Sequence, residues 1–345
     1  MGVNGPCGGM PLFTSDGGHT WTSTGYLTVH FASVGTSAWI ADNPFGSDTV
    51  PFSLARTADA GATWETFSPR RGDAPALYGV HFLDERVGWV RTGASAFQTR
   101  DGGKQWAPSR LVSPQTIAFA PTGPDSAVAY VRSERGVPRL QRTEDGGQSW
   151  QPVPLPPRPG RDESRASLAF ANGQYGWLAM PTYCKSGYCP MVLYATADGG
   201  RTWEERTASL PVVDHSPEAT QLAFGDEQHG AAIEGQHLLL TADGGRTWRD
   251  QPLGGIMKAA SVSYVGASEI WVVGSDEARG VLLHSRDAGQ RWEVYRFEAL
   301  LPYQISFTTA TEGWLTGRLE EQPGSLLATH DGGQTWQQVQ PIVTY

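Results

Sequence analysis

Apolar and polar residues alternate over short stretches of this chain, and the stretches return at a nearly constant interval. Val80-His81-Phe82, Leu168-Ala169-Phe170 and Ile305-Ser306-Phe307 each lead, through a turn of small and charged residues, to Gly-Trp followed by a hydrophobic residue. Weaker copies run through Val29 to Trp39, Leu222 to Ala231 and Val262 to Trp271. Period-two alternation is the mark of a half-buried strand, so the phrase predicts two strands joined by a turn. A third strand follows, as in His237 to Leu240, and a fourth leaves from a second Trp, as in Trp203 to Arg206. No apolar pattern at helical period competes.

Between the third and fourth strands lies an eight-residue phrase, here called the box: Thr14-Ser15-Asp16-Gly17-Gly18-His19-Thr20-Trp21 in its first copy. Its third positions are Asp16, Asp59, Asp101, Asp145, Asp198, Asp243, Asp287 and Asp331, spaced by 43, 42, 44, 53, 45, 44 and 44 residues. Position one is always Thr or Ser, position five Gly and position eight Trp, while position four is Gly except at Ala60 and Ala288. Asp-Gly-Gly between strands is hairpin chemistry: Gly takes positive φ, and Asp and Thr oxygens accept from turn amides. Four strands at this period are the spacing of a β-propeller blade. The predicted fold is an all-β propeller of four-stranded antiparallel blades. Seven blades span 28–340, residues 1–27 hold a partial blade or closing hairpin, and 341–345 form a tail. The alternative is eight blades with an incomplete first one. On either count the chain is expected to start inside a repeat, as if a leader or first hairpin were missing.

The Ser/Thr-x-Asp-x-Gly-x-Thr-Trp phrase resembles the Asp-box, or bacterial neuraminidase repeat, of sialidases, sortilin-type receptors, some xyloglucanases and photosystem II assembly factors. The interleaved Phe…Gly-Trp phrase is most similar to the last of these. The resemblance runs from about Leu12 to Gln340 and implies fold more than function, because one fold hosts unrelated activities. It implies work outside the cytoplasm, in the periplasm, at the cell surface or secreted, although no export signal stands in the chain. In that setting Cys184 and Cys189, in the one long unit, are expected to form a disulfide, with Cys7 left unpaired.

Composition narrows the partners. The chain has 345 residues, and its 26 basic against 35 acidic residues give a net charge of −9, the wrong sign for a nucleic-acid groove. Setting aside the eight box Asp leaves 27 acidic against 26 basic, so the acidity mostly counts boxes. The thirteen Trp are all spent on the two phrases. One carboxylate per turn cannot gather the oxygens Ca²⁺ needs, and two paired Cys are too few for structural zinc, so no metal and no cofactor is expected.

In this fold the loops joining blade to blade and second to third strands share one face, opposite the boxes, and specific function belongs there. That face carries Arg70, Arg71, Tyr78, Arg110, Tyr183, Tyr188, Tyr303 and Arg318, with further arginines such as Arg279 and Arg296. They read either as solvated loop charge or as a basic and aromatic rim that grips a carboxylate-bearing peptide. The expectation is a non-catalytic, monomeric binding or assembly propeller with a protein or peptide client, touching membranes only through that partner. The alternative is a glycan-binding lectin or a glycan-active enzyme, sialidase-like or using two of the acids Asp84, Glu134, Asp214, Asp276 and Glu320. The Arg-Ile-Pro or Arg-Leu-Pro phrase of sialidases is missing, and no acid stands in a catalytic motif.

Overall fold

A computed structural model describes residues 12–13, 22–23, 30–42, 53–67, 77–92, 96–109, 116–132, 138–155, 166–181, 191–207, 210, 221–234, 237–254, 258–276, 279–319 and 322–339. The described residues form strands and turns without helices, so no helix is long and apolar enough to cross a membrane. Seven antiparallel sheets of four strands make a seven-bladed propeller: blade 1 spans 30–67, blade 2 77–109, blade 3 116–153, blade 4 167–207, blade 5 221–251, blade 6 258–296 and blade 7 300–339. In each, strands pair in chain order. Among the described residues, Leu12–Phe13 and Thr22–Ser23 pair with each other as a separate two-stranded sheet, and the four-stranded blades number seven, not eight. Two compact units result, blades 1, 2 and 7 with the N-terminal pair in one and blades 3 to 6 in the other.

The Phe…Gly-Trp phrase follows from packing. Phe82, Phe170, Phe224 and Phe307 pair in register with Gly88, Gly176, Gly230 and Gly313. Each ring lies across its glycine so closely that a Cβ there would sit 2.3–2.5 Å from ring carbons. After the glycine comes a fully buried Trp in blades 2, 4 and 7 (Trp89, Trp177 and Trp314) and Ala231 in blade 5. Phe82 stacks on Trp39 of blade 1 at 3.6 Å and 6°, and Phe224 stacks on Trp177 of blade 4 at 3.5 Å and 2°. Such rings give up large apolar areas to this joint. Each of these two indoles also donates Nε1–H to the first glycine of the next box, Trp39 to Gly102 O (2.9 Å) and Trp177 to Gly244 O (3.0 Å).

Blades 1 and 3 depart from the expected alignment. Ser33 and Pro121, not Phe31 and Phe119, stand two residues further on at the ring position, opposite the residue that precedes Trp39 and Val128. Phe31 instead meets Trp314 of blade 7 at 6.0 Å, and Ser33 Oγ lies 2.9 Å from Ser306 Oγ. The box Trp is the less buried of the two kinds. Trp248 precedes the outer strand Arg249–Gln251, donates to its own box (Nε1–H to Gly245 O, 3.1 Å) and meets Phe224 of its blade edge-on, whereas Trp106 Nε1 is buried without a hydrogen-bond partner.

Candidate functional site

Each blade has two ends. At the box end, one hydrogen-bonding pattern recurs in all seven described boxes. The position-one hydroxyl donates to the Asp Oδ1 at 2.8–3.0 Å and accepts the position-five amide at 2.8–3.0 Å. The same Oδ1 accepts the position-seven amide. Where position seven is Thr or Ser, its hydroxyl closes the ring on Oδ2 at 2.6 Å. The position-four amide then ties the box to the first turn of its own blade, as in Gly102 N–H to Arg86 O (2.8 Å). Box carboxylates are therefore acceptors saturated by their own turn. The hydroxyl and amide of Thr63 hold the Asp59 carboxyl at about 2, and those of Ser149 do the same for Asp145. At Asp331 partial burial pulls upward and is outweighed by Thr335, again leaving it at about 2. Asp198, Asp243 and Asp287 are lowered as well. Asp16 lies outside the described residues.

At the other end, Arg70, Arg71, Arg110, Tyr183, Tyr188, Cys184 and Cys189 lie outside the described residues, and Tyr78 is described only as part of the strand Leu77–Phe82. The two remaining rim residues lie on adjacent strands of blade 7. Tyr303 lies in the first strand, Leu300–Phe307, and Arg318 in the second, Gly313–Leu319, so neither is on a loop. A register shift between Pro302 and Gln304 places Tyr303 in a bulge, two positions from Leu301, the register partner of Arg318. That extra residue and the proline break the period-two alternation and disguised the strand. Gly317 fits there because a Cβ would come within 2.6 Å of Leu301 O. Arg318 is exposed and Tyr303 half-buried.

Two acids weighed for catalysis are engaged in turns. Asp84 Oδ1 accepts the Arg86 and Val87 amides, both at 2.7 Å, and it lies at the box end. Asp276 Oδ1 accepts the Arg279 amide at 2.9 Å, while its Oδ2 lies 3.8 Å from Arg296 Nε. Glu134, Asp214 and Glu320 lie outside the described residues, and among the described ones no group of three His, Cys, Asp or Glu could hold a metal.

Sequence reasoning passed over the residue just before each box. In blade 3, where Val128 replaces the buried Trp, Arg142 takes over the indole's role: its Nε–H donates to Gly199 O at 2.8 Å. Its guanidinium also pairs with Glu144, which accepts from Arg201 of blade 4 at 2.6 Å. The signal was present as a missing Trp and a new Arg facing each other in adjacent strands.

Residues 210–337 match the family described as "Photosynthesis system II assembly factor YCF48". Among solved structures, YCF48 bound to D1 peptide aligns with 76% of this chain and 80% of its own, at 21% identity and a TM-score of 0.53. YCF48 from Cyanidioschyzon merolae aligns with 76% of this chain and 84% of its own, at 16% identity and 0.53. BP39L lectin from Burkholderia pseudomallei shares the fold over 91% of this chain and 98% of its own, at 12% identity and 0.57. No curated protein sequence matches the chain.

Proposed function

We propose, from the premise that this chain is a photosystem II assembly factor-like propeller, that it binds a protein or peptide segment and catalyses no reaction. The observation that carries this reading is the match over residues 210–337, together with the fold shared with a YCF48 that holds a D1 peptide. The binding surface is the face away from the boxes, where Arg318 and Tyr303 lie on adjacent strands of blade 7. A guanidinium beside a phenol suits a peptide carboxylate: the fork grips it bidentately and the ring covers the adjoining main chain. The rim residues Arg70, Arg71, Tyr78, Arg110, Tyr183 and Tyr188 belong to the same proposed surface. The protein acts outside the cytoplasm as a monomer, with Cys184 and Cys189 bridged, and reaches a membrane only through its client.

Fluorescence anisotropy with a labelled D1 peptide, a scrambled control and a wider peptide set tests the reading. Selective binding that weakens with salt, and by about five- to tenfold in Arg318→Ala, is the expected result, since losing one charged contact removes roughly 1–1.5 kcal/mol. Binding of glycans in place of peptides, or glycoside turnover abolished by changing one acid, would overturn it.

A further inference from the structure

His284 lies on the third strand of blade 6, Gly280–Ser285, immediately before the first box residue. It is the register partner of Trp271 and stacks on that indole at 4.5 Å and 15°. The side chain is 1% exposed. Its Nε2 lies 2.8 Å from Glu269 Oε2, while Nδ1 is buried without a hydrogen-bond partner. A neutral ring fits this place: Nε2–H donates to the carboxylate and Nδ1 keeps its lone pair. A second proton would set a charged N–H where nothing accepts it.

The same place in the other blades holds Arg56, Gln98, Arg142, Ala195, Leu240 and Ala328, and no other histidine. We propose that His284 makes blade 6 an acid-sensitive joint. The neutral ring fastens the second strand to the third through Glu269 and Trp271, and its protonation below neutral pH loosens the box end of that blade.

The charged groups facing the ring are Glu269 at the start of the second strand, Arg286 in the box turn and Glu293 in the fourth strand. Burial, the largest influence, holds the imidazole below its ordinary 6.5; Glu269 and Glu293 work against it, and Arg286 with it. A His depressed in the fold binds its proton more readily when unfolded. Its stabilisation is therefore complete above about 6.5 and is lost as pH falls from there through the folded value, by at most about tenfold in the folding equilibrium per pH unit.

The test is urea unfolding from about pH 8 to about pH 5, the range in which histidine ordinarily titrates, with residue-resolved NMR titration of the histidine rings. His284→Gln removes the charge and keeps a donor for Glu269; His284→Ala copies blades 4 and 7 and serves if the first variant folds poorly. The unfolding midpoint of the unaltered protein should fall with pH, both variants should lose most of that fall, and the His284 ring should titrate below an unfolded-peptide histidine. His229, His237 and His330 pair with Asp226, Asp250 and Glu312 at more exposed positions, and the variants subtract their contribution. Identical pH dependence in the variants, or a His284 ring that titrates at or above the peptide value, would overturn the joint.

Discussion

Position four of the box calls for a left-handed backbone, and two blades meet that demand with alanine: Ala60 at φ 57° and Ala288 at φ 56°. An L residue there costs about 1 kcal/mol that glycine does not. Ala60→Gly and Ala288→Gly should therefore each raise stability by roughly 0.5–1 kcal/mol, read as a higher urea midpoint at unchanged m-value; a lower midpoint would mean that the alanine methyl has a packing role. Removing the carboxylate works the other way. Asp243→Ala strips acceptors from the Arg246 and Thr247 amides and from two hydroxyls, and should cost about 1–2 kcal/mol in the same assay. The box acids also set a separate acid limit. The carboxyls of Asp198, Asp243 and Asp287 lie below the ordinary 3.8, and those of Asp59, Asp145 and Asp331 lie at about 2. Their contribution is whole above the ordinary value and drains away as pH falls from there through about 2, well below the histidine range. Acid unfolding monitored by circular dichroism should accordingly set in earlier for Thr63→Val, which loses the strongest restraint on Asp59.

At the level of the blade, one carbonyl on the first box glycine is reached from the preceding blade by chemically different donors. Trp39 and Trp177 use an indole N–H, and Arg142 uses a guanidinium. Arg142→Ala should cost about 1–3 kcal/mol by leaving Gly199 O unpaired at a buried joint. Adding Val128→Trp to that variant rebuilds the arrangement of blade 4, where Trp177 faces Ala195, and should recover most of the loss in urea unfolding. Such exchanges explain what could be read beforehand. Strand number, blade count and the box were legible because period-two alternation and turn chemistry repeat seven times. Tyr303 and Arg318 were assigned to loops because a bulge at Pro302 shifts the alternation by one residue, so an eight-residue strand looked irregular. The proposed rim stayed the least legible part: Arg70, Arg71, Arg110, Tyr183 and Tyr188 fall between the repeating phrases, where no periodic demand constrains the choice of side chain.

Across the molecule, apolar cores are shared between neighbouring blades. Phe82 is flanked by Trp39 of the preceding blade and Trp106 of its own, and Phe224 likewise by Trp177 and Trp248. Phe82→Ala should therefore raise amide hydrogen exchange in blades 1 and 2 together and leave blades 4 and 5 at their original protection, because stability in stacked repeats is dominated by nearest-neighbour terms. Exchange confined to blade 2 would show that the stack holds little of the joint. The stack also has a direction along the polypeptide: the tryptophan faces forward and the phenylalanine back. Where both rings are present, removal of one whole repeat would bring the tryptophan of one neighbour against the phenylalanine of the other, whereas removal of part of a repeat strands a ring against empty space. Genetic gain or loss of material in such a chain is thus quantised. It can proceed by whole repeats in a single crossover, and fractional lengths are selected against by the same contact that holds the blades together.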